Sequence, residues 1–239
     1  MKQGRHGIKI LGLSLLAALG LMAIASSAAQ ASNFLILETE GGATKETGTA
    51  TGTAGTGKLL LENGLTIVCT AGEANATLEA AGMAKATVNF STCSVEGNKF
   101  CKVYPTKADM TAKTNAGKLV ATGLGTLILH ETSHFLHIEG LGEKKTFSTI
   151  YTNTAAEGCT LPLENEVTGL DVLALPNALT HSVNQVIRGL TPAEETLLGT
   201  LGIGHALKYG NEGAKLDPAE VTNAHLTGAA DVGKKFGGQ

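Results

Sequence analysis

Residues 58–93 read KLLLENGLTIVCTAGEANATLEAAGMAKATVNFSTC, and this stretch indicates the fold class of the chain. Asn63-Gly64 stands between two apolar runs, and an Asn-Gly pair in this position is the strongest short-range pattern for a β-hairpin. Residues 84–93 alternate between apolar and polar side chains with the period of two that a half-buried strand requires. The stretch therefore predicts paired antiparallel strands with one face against a core.

Other short segments with strand-like composition are separated by turn residues, and they include residues 34–39, 65–70, 74–80, 110–113, 146–152, 166–175 and 221–227. Many short strands at nearly regular spacing are typical of a β-sandwich. Thr191 is followed by Pro192 and, two residues later, by a pair of glutamates, which is the composition of a helix N-terminus. We therefore expect a mainly β fold, an antiparallel β-sandwich with at most one or two short helices.

The N-terminal residues have the pattern of a secretory signal peptide. Three basic residues precede an apolar run over residues 10–24, which is shorter than the roughly 20 residues of a membrane-spanning helix. Ala29-Gln30-Ala31 fits the small-x-small cleavage site, so we expect cleavage near Ala31 and not a retained anchor. The predicted organisation is a signal peptide over residues 1–31, a Gly/Thr/Ala-rich lead-in over 32–57 and a single β domain over 58–239. The lead-in reads either as flexible chain or as a flat edge strand.

Charge and composition exclude several classes of partner. The chain has a net charge of −3, and removal of the three basic residues of the signal peptide brings it to −6. Arg188 is then the only arginine, so the clusters of Arg and Lys that bind nucleic acid are missing from the sequence. Anionic lipid surfaces are disfavoured for the same reason. After signal cleavage no stretch has the length of a transmembrane segment.

Four cysteines lie in the exported part: Cys69, Cys93, Cys101 and Cys159. An even number of cysteines in an oxidising compartment predicts two disulfides, with three possible connectivities. We favour Cys69–Cys93 with Cys101–Cys159, because Cys69 and Cys93 each end a strand-like run that neighbouring strands could bring together. Free buried thiols and a four-cysteine zinc site are the alternatives, and the second lacks the C-x2-C spacing of such sites.

Residues 130–134 read His-Glu-Thr-Ser-His, an H-E-x-x-H pentad that resembles the motif of the zincin metallopeptidases. On a helix, His130 and His134 would share one face and bind one zinc ion. The resemblance implies that Glu131 would act as general base on the zinc-bound water. Glu166 or His137 would supply the third zinc ligand.

The same residues also read as two strands, Leu127–His130 and His134–Ile138, joined by a three-residue tip. In that hairpin His130 and His134 would be cross-strand partners, and Glu131 would point to solvent. A zincin domain surrounds its active-site helix with several long helices, whereas this chain offers at most one short helix. We therefore favour the hairpin and predict no catalytic residue, no cofactor and no bound metal. The isolated histidines His181, His205 and His225 are expected to be surface or satisfied core residues.

Four segments are similar to exported, four-cysteine, β-rich proteins of soil actinobacteria, which are uncharacterised: residues 64–70, 86–93, 159–169 and 225–237. The resemblance implies an extracytoplasmic β protein and supplies no catalytic residues. We therefore expect an exported structural or interaction protein of the cell envelope or extracellular space, without an identifiable catalytic site and with an unknown partner. A zinc-dependent metallopeptidase and a small-ligand or glycan-binding module are the alternatives, and the scarcity of Trp and Tyr weakens the glycan alternative.

Overall fold

The computed structural model describes residues 30–31, 34–37, 44–176, 183–217, 221–227 and 234–238. The predicted signal peptide up to residue 29 lies outside this part of the chain, as does His181. The strands are β1 (Gln30–Ala31), β2 (Phe34–Leu37), β3 (Thr44–Lys45), β4 (Gly48–Ala54), β5 (Gly57–Leu61), β6 (Thr66–Glu79), β7 (Met83–Glu96), β8 (Val103–Tyr104), β9 (Leu119–His130), β10 (Ser133–Gly140), β11 (Thr146–Thr152), β12 (Glu164–Ala174), β13 (Gln185–Ile187), β14 (Ala206–Tyr209), β15 (Glu212–Asp217), β16 (Val221–Leu226) and β17 (Phe236–Gly238). The helices are α1 (Lys107–Ala112), α2 (Pro192–Thr200) and a 3-10 helix at Ala155–Glu157.

Eight strands form a ring in which every neighbouring pair is antiparallel. The order around the ring is β5, β6, β7, β9, β10, β12, β14, β15 and back to β5. Hairpins between consecutive strands supply β5–β6, β6–β7, β9–β10 and β14–β15, while the other pairs join strands that are farther apart in the chain. We call this whole ring, which β14, β15 and β5 complete, the first closure.

A second closure contains the same central strands, but β4, β16 and β13 complete it. The C-terminal half of β6 pairs with β4 instead of β5. β4 continues to β16 and β13, and Arg188, directly after β13, forms a bridge to Ala174 at the end of β12. The two closures therefore share β6, β7, β9, β10 and β12, and they separate from each other at the middle of β6 and of β12.

Side chains that point inward from both closures form the core, as expected from the alternation of buried and exposed positions along the strands. One cluster lies in the first closure and includes Ile67, Val95, Leu119, Leu207 and Tyr209. The other lies toward the second closure and includes Ala50, Leu78, Leu127, Leu136 and Leu226. Phe90 on β7 packs against both clusters, so they form one continuous interior.

The helix α2 covers the outer side of β10 and β12. Its Leu198 is buried against Phe135, Val172 and Ala174, which form a third apolar cluster. Thr191 caps the helix by accepting a hydrogen bond from the backbone N–H of Glu194. The helix start predicted from Thr191-Pro192 is confirmed.

Both disulfides lie in the core of the first closure. Cys69 is bonded to Cys93, its partner directly across β6 and β7, and Cys101 is bonded to Cys159. All four half-cystines are buried in the cluster of that closure. The two pairs are those favoured from the sequence.

The predicted mainly β, antiparallel class with two short α-helices is confirmed. Hydrogen bonds join the main strands into one network and not into two separate facing sheets, so the sandwich stays a prediction. An additional small sheet contains β17, β2 and β3. The hairpin at Asn63-Gly64 is also confirmed, because the N–H of Leu61 donates to the oxygen of Leu65, and Gly64 has a φ of 83°.

One local prediction was wrong, and another is refined. Residues 110–113 were expected to be a strand but belong to α1 and its C-cap, because Thr106 caps that helix by accepting from the N–H of Asp109. Within the predicted lead-in, residues 48–54 form β4, which is paired on both sides and is not an edge strand. Within the described residues, no helix has the length and apolar character needed to cross a membrane.

Candidate functional site

The H-E-x-x-H pentad lies at the tip of the hairpin formed by β9 and β10. β9 ends at His130 and β10 begins at Ser133, so the turn contains two residues, Glu131 and Thr132. Glu131 has a φ of 52°, within the left-handed region that the favoured two-residue hairpin turns require at their first position. The pentad therefore lies in a hairpin, with a turn one residue shorter than predicted.

The predicted cross-strand pairing of His130 with His134 was wrong. His130 lies opposite Ser133, and His134 lies opposite Leu129. Because side chains alternate along a strand, His134 shares the inner face of β10 with Leu136, whereas His130 lies on the outer face of β9. His134 is accordingly buried. The two imidazoles point to opposite sides of the hairpin and do not converge on one ion.

The two candidates for a third zinc ligand do not complete a zinc site. Oε2 of Glu166 lies 3.2 Å from Nζ of Lys144. His137 lies opposite Val172 on the outer face of β10, where burial lowers the pKa of its imidazole. Across the residues that the structure describes, no group of three or more His, Cys, Asp or Glu side chains is arranged to hold a metal ion. The helical zincin arrangement considered for this stretch is therefore not formed.

A small depression lies beside the hairpin tip. It has a volume of about 220 Å³ and is lined by Thr132, Ser133, His134, Ala174, Leu175, Pro176 and Glu194. Pockets that bind drug-sized molecules have volumes of about 300–1,000 Å³, so this depression is smaller than the usual ligand site. Its acid, Glu194, is already bound to the guanidinium of Arg188. The negative charge of Glu194 is therefore balanced by Arg188 within the fold.

A buried carboxylate and a partly exposed imidazole meet where the two closures separate. Oδ1 of Asp171 contacts Nδ1 of His205, and it also accepts a hydrogen bond of 2.8 Å from the backbone N–H of Val172. The Asp171 side chain is 4% exposed and the His205 side chain is 42% exposed. A carboxylate that holds one ring nitrogen orients the imidazole, and the rest of the His205 ring lies toward solvent.

Burial raises the pKa of the Asp171 carboxyl above its ordinary value, and this effect outweighs the opposing hydrogen bonds from His205 and Val172. His205 was predicted to be an isolated surface or core histidine, and no role was predicted for Asp171. One local signal was present, because Asp171 interrupts the apolar run of residues 169–175 and a buried carboxylate requires a partner. The partner itself, 34 residues away in the chain, could not be identified from the local pattern.

A surface patch of mixed apolar and hydroxyl side chains covers the outer face of β7 and β9. We call it the β7–β9 patch and define it as Met83, Thr87, Val120, Thr122 and Leu124. The three apolar members are exposed by 46% (Met83), 41% (Val120) and 40% (Leu124). Thr87 and Thr122 lie opposite each other between them, with their Oγ1 atoms 3.1 Å apart. The patch therefore combines exposed apolar area with hydroxyl groups on paired, hydrogen-bonded strands.

Comparison with protein-family models, with curated proteins and with solved structures gives no match for this chain.

Proposed function

We propose that the protein is an exported interaction protein of the cell envelope or extracellular space that contacts its partner through the β7–β9 patch. The proposal does not assign a catalytic site. The observation that carries it is the exposure of Met83, Val120 and Leu124 on one outer face of adjacent strands. Lys85 lies opposite Leu124 and Asn89 lies opposite Val120 on the same face. Exposed apolar side chains among polar neighbours are typical of protein interaction sites.

The position of the patch supports this function. β7 is joined to β6 on one side and to β9 on the other, and the disulfide Cys69–Cys93 links β6 to β7. β7 is paired along both edges, and β9 is paired with β7 from Leu119 and with β10 from Gly123, so a partner would meet a preformed surface. A preformed surface loses little conformational entropy on binding, which favours affinity for a given contact area.

Two features support export. The two disulfides are consistent with an oxidising, extracytoplasmic compartment. The segment Ala29-Gln30-Ala31 supplies the cleavage site expected for a signal peptide. Cleavage after Ala31 would remove β1, whose two described residues pair with Leu129 and Ile128 of β9, and would leave both closures intact.

Export is tested by fractionating the producing cells and measuring the intact mass of the protein in each fraction. We expect the extracytoplasmic form to begin near Ser32, and deletion of residues 2–24 should retain the chain in the cytoplasm. A full-length protein that stays in the cytoplasm would contradict the proposal.

The patch is tested by placing a photo-reactive amino acid at Leu124 in the protein expressed in the producing cells. The matched control carries the same group at Leu163, which is 49% exposed in the segment that precedes β12. We expect an adduct of defined mass at Leu124 and none of that mass at Leu163. The purified partner should then bind the mature protein, and Val120→Asp should weaken the binding at least tenfold. An adduct of twice the chain mass would identify a second copy as the partner.

The interaction surface is wrong if no adduct forms at Leu124, or if both positions give the same adducts. It is also wrong if Val120→Asp binds the purified partner as the wild type does. Circular dichroism of the variant separates loss of binding from loss of folding, because the side chain at position 120 points outward and its substitution leaves the core unchanged.

A further inference from the structure

The loop between β7 and β8 carries the most exposed large apolar side chain in the described part of the chain, Phe100, which is 59% exposed. We call residues 97–102 the Phe100 loop. It follows the C-terminal end of β7, whereas Met83 and Thr87, the β7 members of the β7–β9 patch, lie nearer the other end of that strand. The Phe100 loop is therefore a separate surface from the patch.

Two asparagine side chains fix the backbone on either side of the Phe100 ring. Asn98 accepts a hydrogen bond of 3.0 Å from the N–H of Phe100 and donates one of 3.0 Å to the carbonyl oxygen of Gly158. Asn153, which is 5% exposed, donates to the carbonyl oxygen of Phe100 and accepts from the N–H of Lys102. Both peptide groups of Phe100 are therefore held by side chains.

A disulfide attaches the loop covalently at the next residue. Cys101 is bonded to Cys159. The Phe100 side chain lies against the same segment, since a Cβ at Gly158 would be 3.1 Å from its Cβ and 3.2 Å from its Cγ. The ring is thus part of a preformed surface, and binding to such a surface costs little conformational entropy.

Phe100 lines a surface depression of about 470 Å³, together with Val95, Gly97, Asn98 and Lys99. This volume is within the range of about 300–1,000 Å³ that ligand pockets have. It is about twice the volume of the depression beside the hairpin tip. An apolar group that enters the depression buries its surface against the aromatic ring.

The charged side chains of the Phe100 loop are both positive. Nζ of Lys99 lies 5.3 Å from the centre of the Phe100 ring, and Lys102 is exposed. Neither lysine forms an ion pair with another residue that the structure describes. The contacting segment 153–163 contains a single acid, Glu157, which is already in an ion pair with a lysine at the end of α1. The loop is therefore a cationic and apolar surface on a protein of net negative charge.

We propose that the Phe100 loop is a second interaction site, which binds an acidic peptide segment of a partner protein. An apolar side chain of the segment enters the depression beside Phe100, and a neighbouring carboxylate pairs with Lys99. Opposite charges across an interface speed the encounter and fix the register of the two partners. Glu96 precedes the loop but does not line the depression, so it does not take the place of that carboxylate.

The depression and the net charge favour a peptide over an anionic membrane. A bilayer meets a broad face of the protein and is repelled by its net negative charge. A peptide segment meets the loop alone, because charges more than about 8 Å away are largely screened at physiological salt. The Phe100 side chain also packs on Gly158 and lines a concave surface, whereas insertion into a bilayer requires an apolar side chain that projects from the surface.

Peptides selected on the immobilised mature protein from a random library displayed on phage test the site. We expect the selection to enrich peptides in which Asp or Glu stands next to an apolar residue. Synthetic copies should bind Phe100→Ser and Lys99→Glu more weakly than the wild type by about tenfold or more, the loss typical of an interface anchor. Either variant suffices if the other does not fold, and circular dichroism checks both.

Two control variants carry matched changes on the side of the second closure. Val183→Ser removes an apolar side chain that is 37% exposed before β13, and Lys235→Glu makes the same change of charge at an exposed position before β17. Both should bind the selected peptides as the wild type does.

The site is refuted if no enriched peptide loses affinity for Phe100→Ser or Lys99→Glu, or if the peptides that depend on Phe100 carry no acidic residue. It is also refuted if the two controls weaken binding by the same factor. Vesicles of phosphatidylserine and phosphatidylcholine test the lipid alternative. Sedimentation of the wild type with these vesicles that Phe100→Ser abolishes would refute the peptide site in favour of an anionic lipid surface.

Discussion

The guanidinium of Arg188 binds the carboxylate of Glu194 through two hydrogen bonds, of 2.8 Å from Nη1 and 2.9 Å from Nη2. The same carboxylate accepts a hydrogen bond from the backbone N–H of Thr191 at the start of α2. These contacts favour the ionised form and lower the pKa of Glu194 to about 2. A carboxyl group with a depressed pKa stabilises the fold above its unfolded pKa, and this stabilisation is lost as the pH falls through the folded value.

We therefore expect Glu194→Gln to reduce the free energy of unfolding near neutral pH by on the order of 2 kcal/mol, allowing for partial solvent screening. The difference between wild type and variant should shrink as the pH falls from the ordinary value of 4.5 toward about 2. Urea denaturation at several pH values measures both effects. Glu195→Gln is the control, since its carboxylate is 3.8 Å from Lys215 at an exposed site. Equal losses in the two variants would contradict the role of the Arg188 pair.

Substitution of two glycines by alanine should change the stability of the protein in opposite directions. A Cβ at Gly169 on β12 would lie 1.8 Å from the carbonyl oxygen of Ala206, and Gly169 has a φ of 117°. Gly169→Ala should destabilise the protein by about 3 kcal/mol or more, because the neighbouring backbone must move. A Cβ at Gly199 in α2 would meet nothing within 4 Å, so Gly199→Ala should stabilise by about 0.5–1 kcal/mol. Thermal unfolding distinguishes them, and a shift of the same sign for both would refute this account.

The two histidines of the pentad should behave unequally. His134→Ala removes a side chain that is 3% exposed and should cost about 2 kcal/mol. His130→Ala, on the outer face of β9, should cost less than about 1 kcal/mol. Denaturation with and without added zinc provides the comparison. A zinc-dependent stabilisation of the wild type that disappears in both variants would instead indicate a shared metal site.

Reduction of the disulfides should destabilise the protein strongly. The bonded cysteines are 24 and 58 residues apart in the chain. Chain-entropy estimates give about 3.5 kcal/mol for the shorter loop and about 4 kcal/mol for the longer one. Replacing both members of one pair by alanine, one pair at a time, should lower the denaturation midpoint in each case, with wild type under reducing conditions as the reference. A reduced protein as stable as the oxidised one would show that the core of the first closure does not depend on these bonds.

A strand could be predicted where the local residue pattern indicates it, whereas the strands with which it pairs could not be predicted. Residues 84–93 show period-two alternation, and Asn63-Gly64 marks a turn, so β7 and the β5–β6 hairpin could be predicted from the sequence. Residues 65–70 and 74–80 look like two strands but lie in the single strand β6, because β5 pairs with one half and β4 with the other. Which strand covers which half depends on contacts far apart in the sequence.

The hairpin at the pentad shows how a one-residue difference changes a site. The sequence favoured a hairpin, but with a three-residue tip that would pair His130 with His134. The two-residue turn pairs His130 with Ser133 instead, and His134 becomes part of the inner face. Because side chains alternate with a period of two, turn length alone decides which face a residue joins. The Asp171–His205 contact depends on the same kind of long-range register and carries little local signal.

The two closures also determine how the chain reaches its folded state. β4 pairs with β16, and β5 pairs with β15, so both closures join the early part of the chain to its last quarter. Strands that are so far apart in the sequence pair slowly, because the chain loses the entropy of closing the long loop before the stabilising contacts form. Until residues 206–226 are available, β4 and β5 have unpaired backbone groups along one edge. Exposed strand edges are the surfaces through which β proteins aggregate, so C-terminal truncation should first appear as insolubility.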